Sequence, residues 1–248
     1  MDNEASMTRR RWIANTSTDT TASLLGPQAK HLARVLRAQP GTQADVVANS
    51  RVYRAQISSV SNDEVQFTLL DEIDSESALP VTLLLAIFKF DRMEWAIEKA
   101  TELGVASIIP IIARRTEKHL AQAAGKRVER WRRLAQEAAK QSRRADLPAI
   151  EEPIALTARL QQTSTAQRIL LAEDERNTTL RQRIEAALQS ADADLPNFEL
   201  AIGPEGGWTQ EELTLFAKHQ WQSASLGPRI LRAETAAITA LAITSALL

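Results

Sequence analysis

From residue 81 onward, short unbroken apolar runs alternate with segments whose apolar residues recur at helical spacing, and this alternation limits the possible folds more than any other feature. Residues 81–88 are a continuous apolar run, 107–113 read as another apolar strand, and 168–172, 198–202 and 223–226 are three more candidate strands. Strands of that kind, joined by helices, form a parallel sheet covered on both sides. Helices are expected at 90–103, 126–144, 179–189, 210–219 and 233–247. In the first, Met93, Ile97, Ala100 and Leu103 share a face, Gly104 supplies the stop, and Glu98, Lys99 and Glu102 pair on the polar side. In the second, Val128, Trp131, Leu134, Ala135 and Ala138 face inward and the arginines outward.

The residues before this region have a different pattern. Stretches 44–48, 52–57 and 65–70 are β-branched or alternating and read as strands, separated by Asn49-Ser50 and Ser61-Asn62-Asp63. A short helix is expected over 27–37, with His31, Arg34 and Arg37 on related faces and Pro40-Gly41 ending it. Residues 71–78, acidic and serine-containing, lead to Pro80 and read as a linker. The expectation is a small β-rich domain over 1–76 and an α/β domain over 77–248.

Composition removes several function classes. The chain has no cysteine, which excludes disulfides, thiolate metal sites and a thiol nucleophile. Its three histidines lie far apart, so no metal is expected. The apolar stretches 81–88 and 236–248 fall short of the roughly 20 residues that span a bilayer. Residues 1–7 are unlike a secretory signal, so a cytoplasmic protein without membrane association is expected. Net charge is −1, yet the charge is segregated: residues 114–144 carry 11 Lys/Arg against 3 Asp/Glu, and residues 151–200 carry 5 against 9. Such a basic region fits either a solvated helix face or a salt-dependent nucleic-acid surface. Arg9-Arg10-Arg11-Trp12, with Arg34 and Arg37, forms a second basic locus beside an aromatic ring.

Two loops carry the strongest chemical signal. Gly203-Pro204-Glu205-Gly206-Gly207 follows a strand and precedes a helix whose start, Thr209-Gln210-Glu211-Glu212, fits a capping box. Leu226-Gly227-Pro228-Arg229-Ile230-Leu231-Arg232 repeats the plan before a helix opening at Glu234-Thr235. In a parallel sheet, loops at the carboxyl ends of strands are where ligands bind. A tight turn and a ligand loop are both open for a glycine cluster alone, as are an anion clamp and a plain tie for Arg232 with Glu234. A phosphate-binding Walker loop is disfavoured because no Lys-Ser/Thr follows the glycines.

Taken with Met93-Glu94-Trp95 through Glu102-Leu103-Gly104-Val105 and with Arg34-Val35-Leu36-Arg37, the two loops resemble the signature of the ribosomal RNA small subunit methyltransferase E family. Matching blocks run in the family's order from about Arg34 to the C-terminus. The resemblance implies a SPOUT-type α/β domain with a deep trefoil knot and an N-terminal PUA-like β-barrel that binds RNA. It further implies S-adenosyl-L-methionine as cofactor, a homodimer, and methylation of a uridine N3 in 16S rRNA, on the assembled 30S subunit. By position it assigns the cofactor pocket to Leu171, Gly203, Pro204, Glu205, Gly206, Gly207, Leu226, Gly227, Ile230, Leu231 and Thr235. RNA contacts are expected from Arg11, Arg34, Arg37, Arg114, Arg115 and Arg144. Lys140-Gln141-Ser142-Arg143-Arg144 stands where the family often has Glu-Gln-x-Gly-Arg, and it adds positive charge.

Uridine N3 is protonated near neutral pH, so its methylation needs a base or a cation that stabilises the uracil anion. Arg232 and Glu234 are the expected catalytic pair: Arg232 on the anion or the base, Glu234 orienting Arg232 or accepting the proton. A SPOUT enzyme acting on ribose 2′-O or on tRNA is an alternative, and so is a non-catalytic RNA-binding assembly factor.

Overall fold

The computed structural model describes residues 11–49, 51–73, 78–142, 144–191 and 194–248. Arg9, Arg10, Ser50, Arg143, the 1–7 segment and residues 74–77 of the expected linker lie outside the described residues. The chain forms two compact units. One holds the described residues up to Ile73 together with Ala139–Asp146; the other holds Ala78–Ala138 and Leu147–Leu248.

The first unit is a six-stranded mixed sheet. Its strands are β1 (Arg11–Ile13), β2 (Thr16–Ser17), β3 (Thr21–Leu25), β4 (Gln43–Ala48), β5 (Arg51–Val60) and β6 (Glu64–Ile73), in the order β1-β4-β5-β6-β3-β2. Only the β1–β4 pairing is parallel. Period-two alternation turns Val65, Phe67 and Leu69 of β6 inward to meet Val46, Ala55, Ile57 and Leu24. A short helix, α1 (Pro27–Lys30), has Pro27 in its first turn and widens into a π turn at His31–Val35. The regular helix expected over 27–37 is therefore shorter, and Arg37, at φ +51°, turns the chain out of it. Residues 71–73, read as linker, complete β6.

In the second unit every strand pairing is parallel. The strands are β7 (Leu79–Ala86), β8 (Val105–Ile112), β9 (Ala149–Ile150), β10 (Ile154–Ala155), β11 (Gln167–Leu171), β12 (Phe198–Ile202) and β13 (Gln222–Ala224). Their order is β10-β8-β7-β12-β11-β13, with β9 also on the outer edge of β8. The helices are α2 (Phe90–Glu102), α3 (Lys118–Ala124), α4 (Val128–Ser142), α5 (Leu156–Leu160), α6 (Leu180–Gln189), α7 (Gln210–Lys218) and α8 (Ala233–Ser245). Strands β7, β8, β11 and β12 divide their side chains between two cores. Leu83, Leu85, Ile169, Leu171, Leu200 and Ile202 pack with residues of α2, α4, α6 and α8. Leu84, Ala86, Leu170 and Ala201 pack on the other face with Leu156, Leu160, Trp208, Phe216 and Trp221. Burial on both faces is why these strands read as unbroken apolar runs.

Chain order reverses across the centre of this sheet. The chain lays β8 on one side of β7 and later inserts β12 between β7 and β11. A doubly wound sheet opens a crevice at such a switch point, beyond the carboxyl ends of its strands.

Candidate active site

The crevice is a cavity of about 680 Å³, within the range of small-molecule sites. Its wall is built from the carboxyl ends of three adjacent strands: Leu171 and Ala172 after β11, Ile202 to Trp208 after β12, and Ala224 to Gly227 after β13. Residues 229–233, leading into α8, close one side. Arg92 from α2 and Arg115 from the loop after β8 complete it.

The loop after β12 folds back on its own tryptophan. The Trp208 indole N–H donates to the Leu171 carbonyl at 3.3 Å, tying two strand ends together. Its ring meets Phe216 edge-on at 4.9 Å, and Phe216 meets Trp221 the same way at 5.2 Å. A Cβ on Gly203 would lie 3.1 Å from the Trp208 Nε1, so the strand end and the indole approach this closely only because residue 203 has no side chain. Gly227, at φ +115°, makes the corresponding turn after β13 with a backbone conformation that side-chain-bearing residues avoid.

Polar contacts fix the loop from outside. The Arg115 guanidinium donates to the carbonyl of Gly206 and, at 3.3 Å, to that of Trp208. The capping box forms as the spacing suggests: Thr209 Oγ1 accepts the Glu212 N–H at 3.3 Å and Glu212 accepts the Thr209 N–H at 2.9 Å. The second Glu212 oxygen accepts the Arg114 N–H at 2.8 Å. Beside the cavity, Glu175 accepts the N–H groups of Asn177 and Thr178, which hold its carboxyl below the usual range.

Ten of the eleven expected pocket residues line this one cavity, although they come from three separate stretches of chain. Thr235 is exposed and outside the lining. Arg232 lines the cavity as the N-cap of α8, exposed and with no ion-pair partner among the described residues. Glu234 is only 6 % exposed, and its nearest cation is Arg92, at 3.9 Å, rather than Arg232. Arg92, which the sequence left among structural helix residues, also donates to Glu205 at 2.6 Å. No signal in the sequence marked it, because its partner Glu205 lies 113 residues away.

The arginines expected to meet RNA differ in their surroundings. Arg34, Arg37 and Arg114 are exposed and Arg11 is half-buried. Arg115 turns one terminal nitrogen to the glycine loop, and the Arg144 side chain is buried against Asp146. The α4 arginines are largely committed: Arg130 makes a two-pronged pair with Glu94 at 2.7 and 2.8 Å, and Arg132 binds Glu129 and the Ile150 carbonyl. Among the described residues no cluster of His, Asp and Glu could hold a metal ion, and no helix is long and apolar enough to cross a membrane.

Residues 75–245 match the family model described as an RNA methyltransferase domain, and residues 24–70 match the RNA methyltransferase PUA domain. The two domains are thus those of an RNA methyltransferase. The chain is 35 % identical to the ribosomal RNA small subunit methyltransferase E of Synechocystis, over 93 % of this chain and 74 % of that one. It is 31 % identical to the Bacillus subtilis protein of the same name, over 91 % and 90 %. A crystal structure of the Neisseria gonorrhoeae enzyme bound to S-adenosyl methionine superimposes with a TM-score of 0.78 at 26 % identity, covering 97 % of this chain and 98 % of that one. The chain belongs to the ribosomal RNA small subunit methyltransferase E family.

Proposed function

We propose that this chain methylates N3 of a uridine in 16S rRNA, on the assembled 30S subunit, with S-adenosyl-L-methionine as donor. The observation that carries the reading is the convergence of two Gly-Pro loops and an arginine, Arg232, without an ion-pair partner among the described residues, on one cavity at the switch point of a parallel sheet. The Neisseria relative holds S-adenosyl methionine, and this cavity suits the same group in size and lining. Leu171, Leu226, Ile230 and Leu231 offer apolar walls, while backbone from Gly203 to Gly207 and at Gly227 can approach a ligand without side-chain obstruction. The donor brings a methyl group already activated on a sulfonium. The protein's work is to hold the nucleophile in line and to favour its anion.

Arg232 is the cation that lowers the free energy of the uracil anion once N3 has given up its proton to water. Glu234, buried in the first turn of α8, acts by position. A paired N3 is out of reach, so the target base is single-stranded or extruded; Arg114 in the second unit and Arg11, Arg34 and Arg37 in the first are the residues that contact RNA phosphates. A homodimer is the assembly the family resemblance implies. The makeup of α8 supports it: Ile238 and Ile243 are only half-buried in a helix without a polar face, and Leu247 just beyond its end is half-buried too.

Methyl transfer from labelled donor to unmodified 30S subunits, with nucleosides resolved by mass spectrometry, tests the reading directly. N3-methyluridine is the expected product; label in a ribose or in tRNA would redirect the specificity. Binding of RNA without binding of S-adenosylhomocysteine would point to an assembly factor. Gly203→Ala separates the cradle from the chemistry. Its Cβ must displace the Trp208 ring, and S-adenosylhomocysteine affinity measured by calorimetry should fall about tenfold or more. Unchanged affinity would remove Gly203 from the binding surface.

A further inference from the structure

One cation in the cavity wall serves two carboxylates that belong to different working parts. Arg92, near the start of α2, donates through one terminal nitrogen to Glu205 Oε1 at 2.6 Å, and its Nε lies 3.9 Å from Glu234 Oε1. Glu205 stands in the glycine loop after β12, and Glu234 stands in the first turn of α8, two residues beyond Arg232. The Arg92 and Glu205 side chains are each about one-third exposed, whereas Glu234 is buried and its Oε2 has no hydrogen-bond partner. A carboxylate so incompletely bonded is costly to bury, and it is held there by the guanidinium and by the positive end of α8. The charge-assisted bond to Glu205 is the stronger of the two contacts. Because the guanidinium is planar and rigid, its two faces of contact fix the separation of the two acids; a lysine ammonium on a flexible stem has no such second arm.

We propose, building on the methyltransferase function above, that Arg92 is a positioning residue for the reaction. It ties the loop that cradles the donor to the helix start that presents Arg232, so that donor and anion-stabilising cation are set in one geometry. Glu205 and Glu234 are its two anchors, and its effect on rate is exerted through them. A simple stabilising ion pair would lower the melting temperature of its variants and leave the rate of the folded protein unchanged. A positioning role moves the rate itself.

The test uses the full chain, with three readouts: S-adenosylhomocysteine affinity by calorimetry, single-turnover methyl transfer to unmodified 30S subunits at saturating donor, and thermal melting. Arg92→Ala should slow transfer about 100-fold, the scale of a misplacement near 1 Å. Arg92→Lys keeps the charge and one arm; it should bind S-adenosylhomocysteine within about threefold of wild type yet remain at least about tenfold slow. The double variant Arg92→Ala with Glu205→Gln should be no slower than Arg92→Ala alone, because both changes break one linkage. Rates for both Arg92 variants within about twofold of wild type would overturn the inference. So would rate losses that vanish when each variant is assayed equally far below its own melting temperature. If Arg92→Ala does not fold, Arg92→Lys decides. A wild-type chain that binds no S-adenosylhomocysteine would overturn the underlying function instead, and the two failures are distinct.

Discussion

Arg232→Ala should cut single-turnover methyl transfer by about 100- to 1000-fold, the usual loss when one preorganised stabiliser of a developing anion is removed. The expectation rests on what Arg232 does not do. It caps α8 at φ −65°, ψ 154°, lies in the cavity wall, and makes no ion pair among the described residues. Glu234, the acid nearest to it in sequence, is committed to Arg92. The charge of Arg232 is therefore available to substrate, and removing it leaves no buried carboxylate unpaired. S-adenosylhomocysteine affinity should stay within about threefold of wild type, since the loss is one of transition-state stabilisation. Arg232→Lys should recover part of the rate, because a point charge still attracts an anion but lacks the planar fork. Transfer by Arg232→Ala within about threefold of wild type, with donor and RNA saturating, would remove Arg232 from the chemistry.

How far the site was legible follows from where its signals lie along the chain. Strand β12, Phe198–Ile202, falls on the residues its run marked, because burial on both sheet faces leaves four apolar residues in five. The two Gly-Pro loops were legible for the same reason: each sits between such a strand and a helix start. Short elements carried too little pattern. The residues of β3, Thr21–Leu25, alternate over a single strand length, and α3 and α5 are seven and five residues long. Contacts between distant residues were not legible at all. The excess of positive charge over 114–144 suggested a free basic surface. In space, Arg130 is answered by Glu94, 36 residues away, and Arg132 by Glu152, 20 residues away. The same limit hid Arg92, whose partner Glu205 is 113 residues distant. It also led to pairing Glu234 with Arg232, two residues earlier, when the fold sets Arg92 within 3.9 Å of it.

The largest stability loss is expected at the opposite end of β12, far from the chemistry. Glu199 is buried in the sheet and holds two arginines: Arg159 of α5 at 2.7 Å and Arg168 of β11 at 3.5 Å. Arg159 is itself 6 % exposed, with its Nε unbonded, so Glu199 is the anion that makes its burial tolerable. Glu199→Ala strands that charge and should cost about 3–5 kcal/mol, the range for breaking one side of a buried pair. For a chain of this size that is a fall in melting temperature of roughly 6–20 °C. Arg168 is less dependent on Glu199, because it also donates to the Gln162 carbonyl at 2.8 Å. The double replacement Arg159→Met with Glu199→Met should therefore regain most of the loss, since two apolar side chains of similar volume avoid both desolvation penalties. Methyl transfer per folded molecule should be unchanged in these variants, as neither Glu199 nor Arg159 lines the cavity. Differential scanning calorimetry of the single and double variants checks the prediction. A melting temperature for Glu199→Ala within about 2 °C of wild type would mean that water reaches the arginines and the pair is worth no more than a surface bridge.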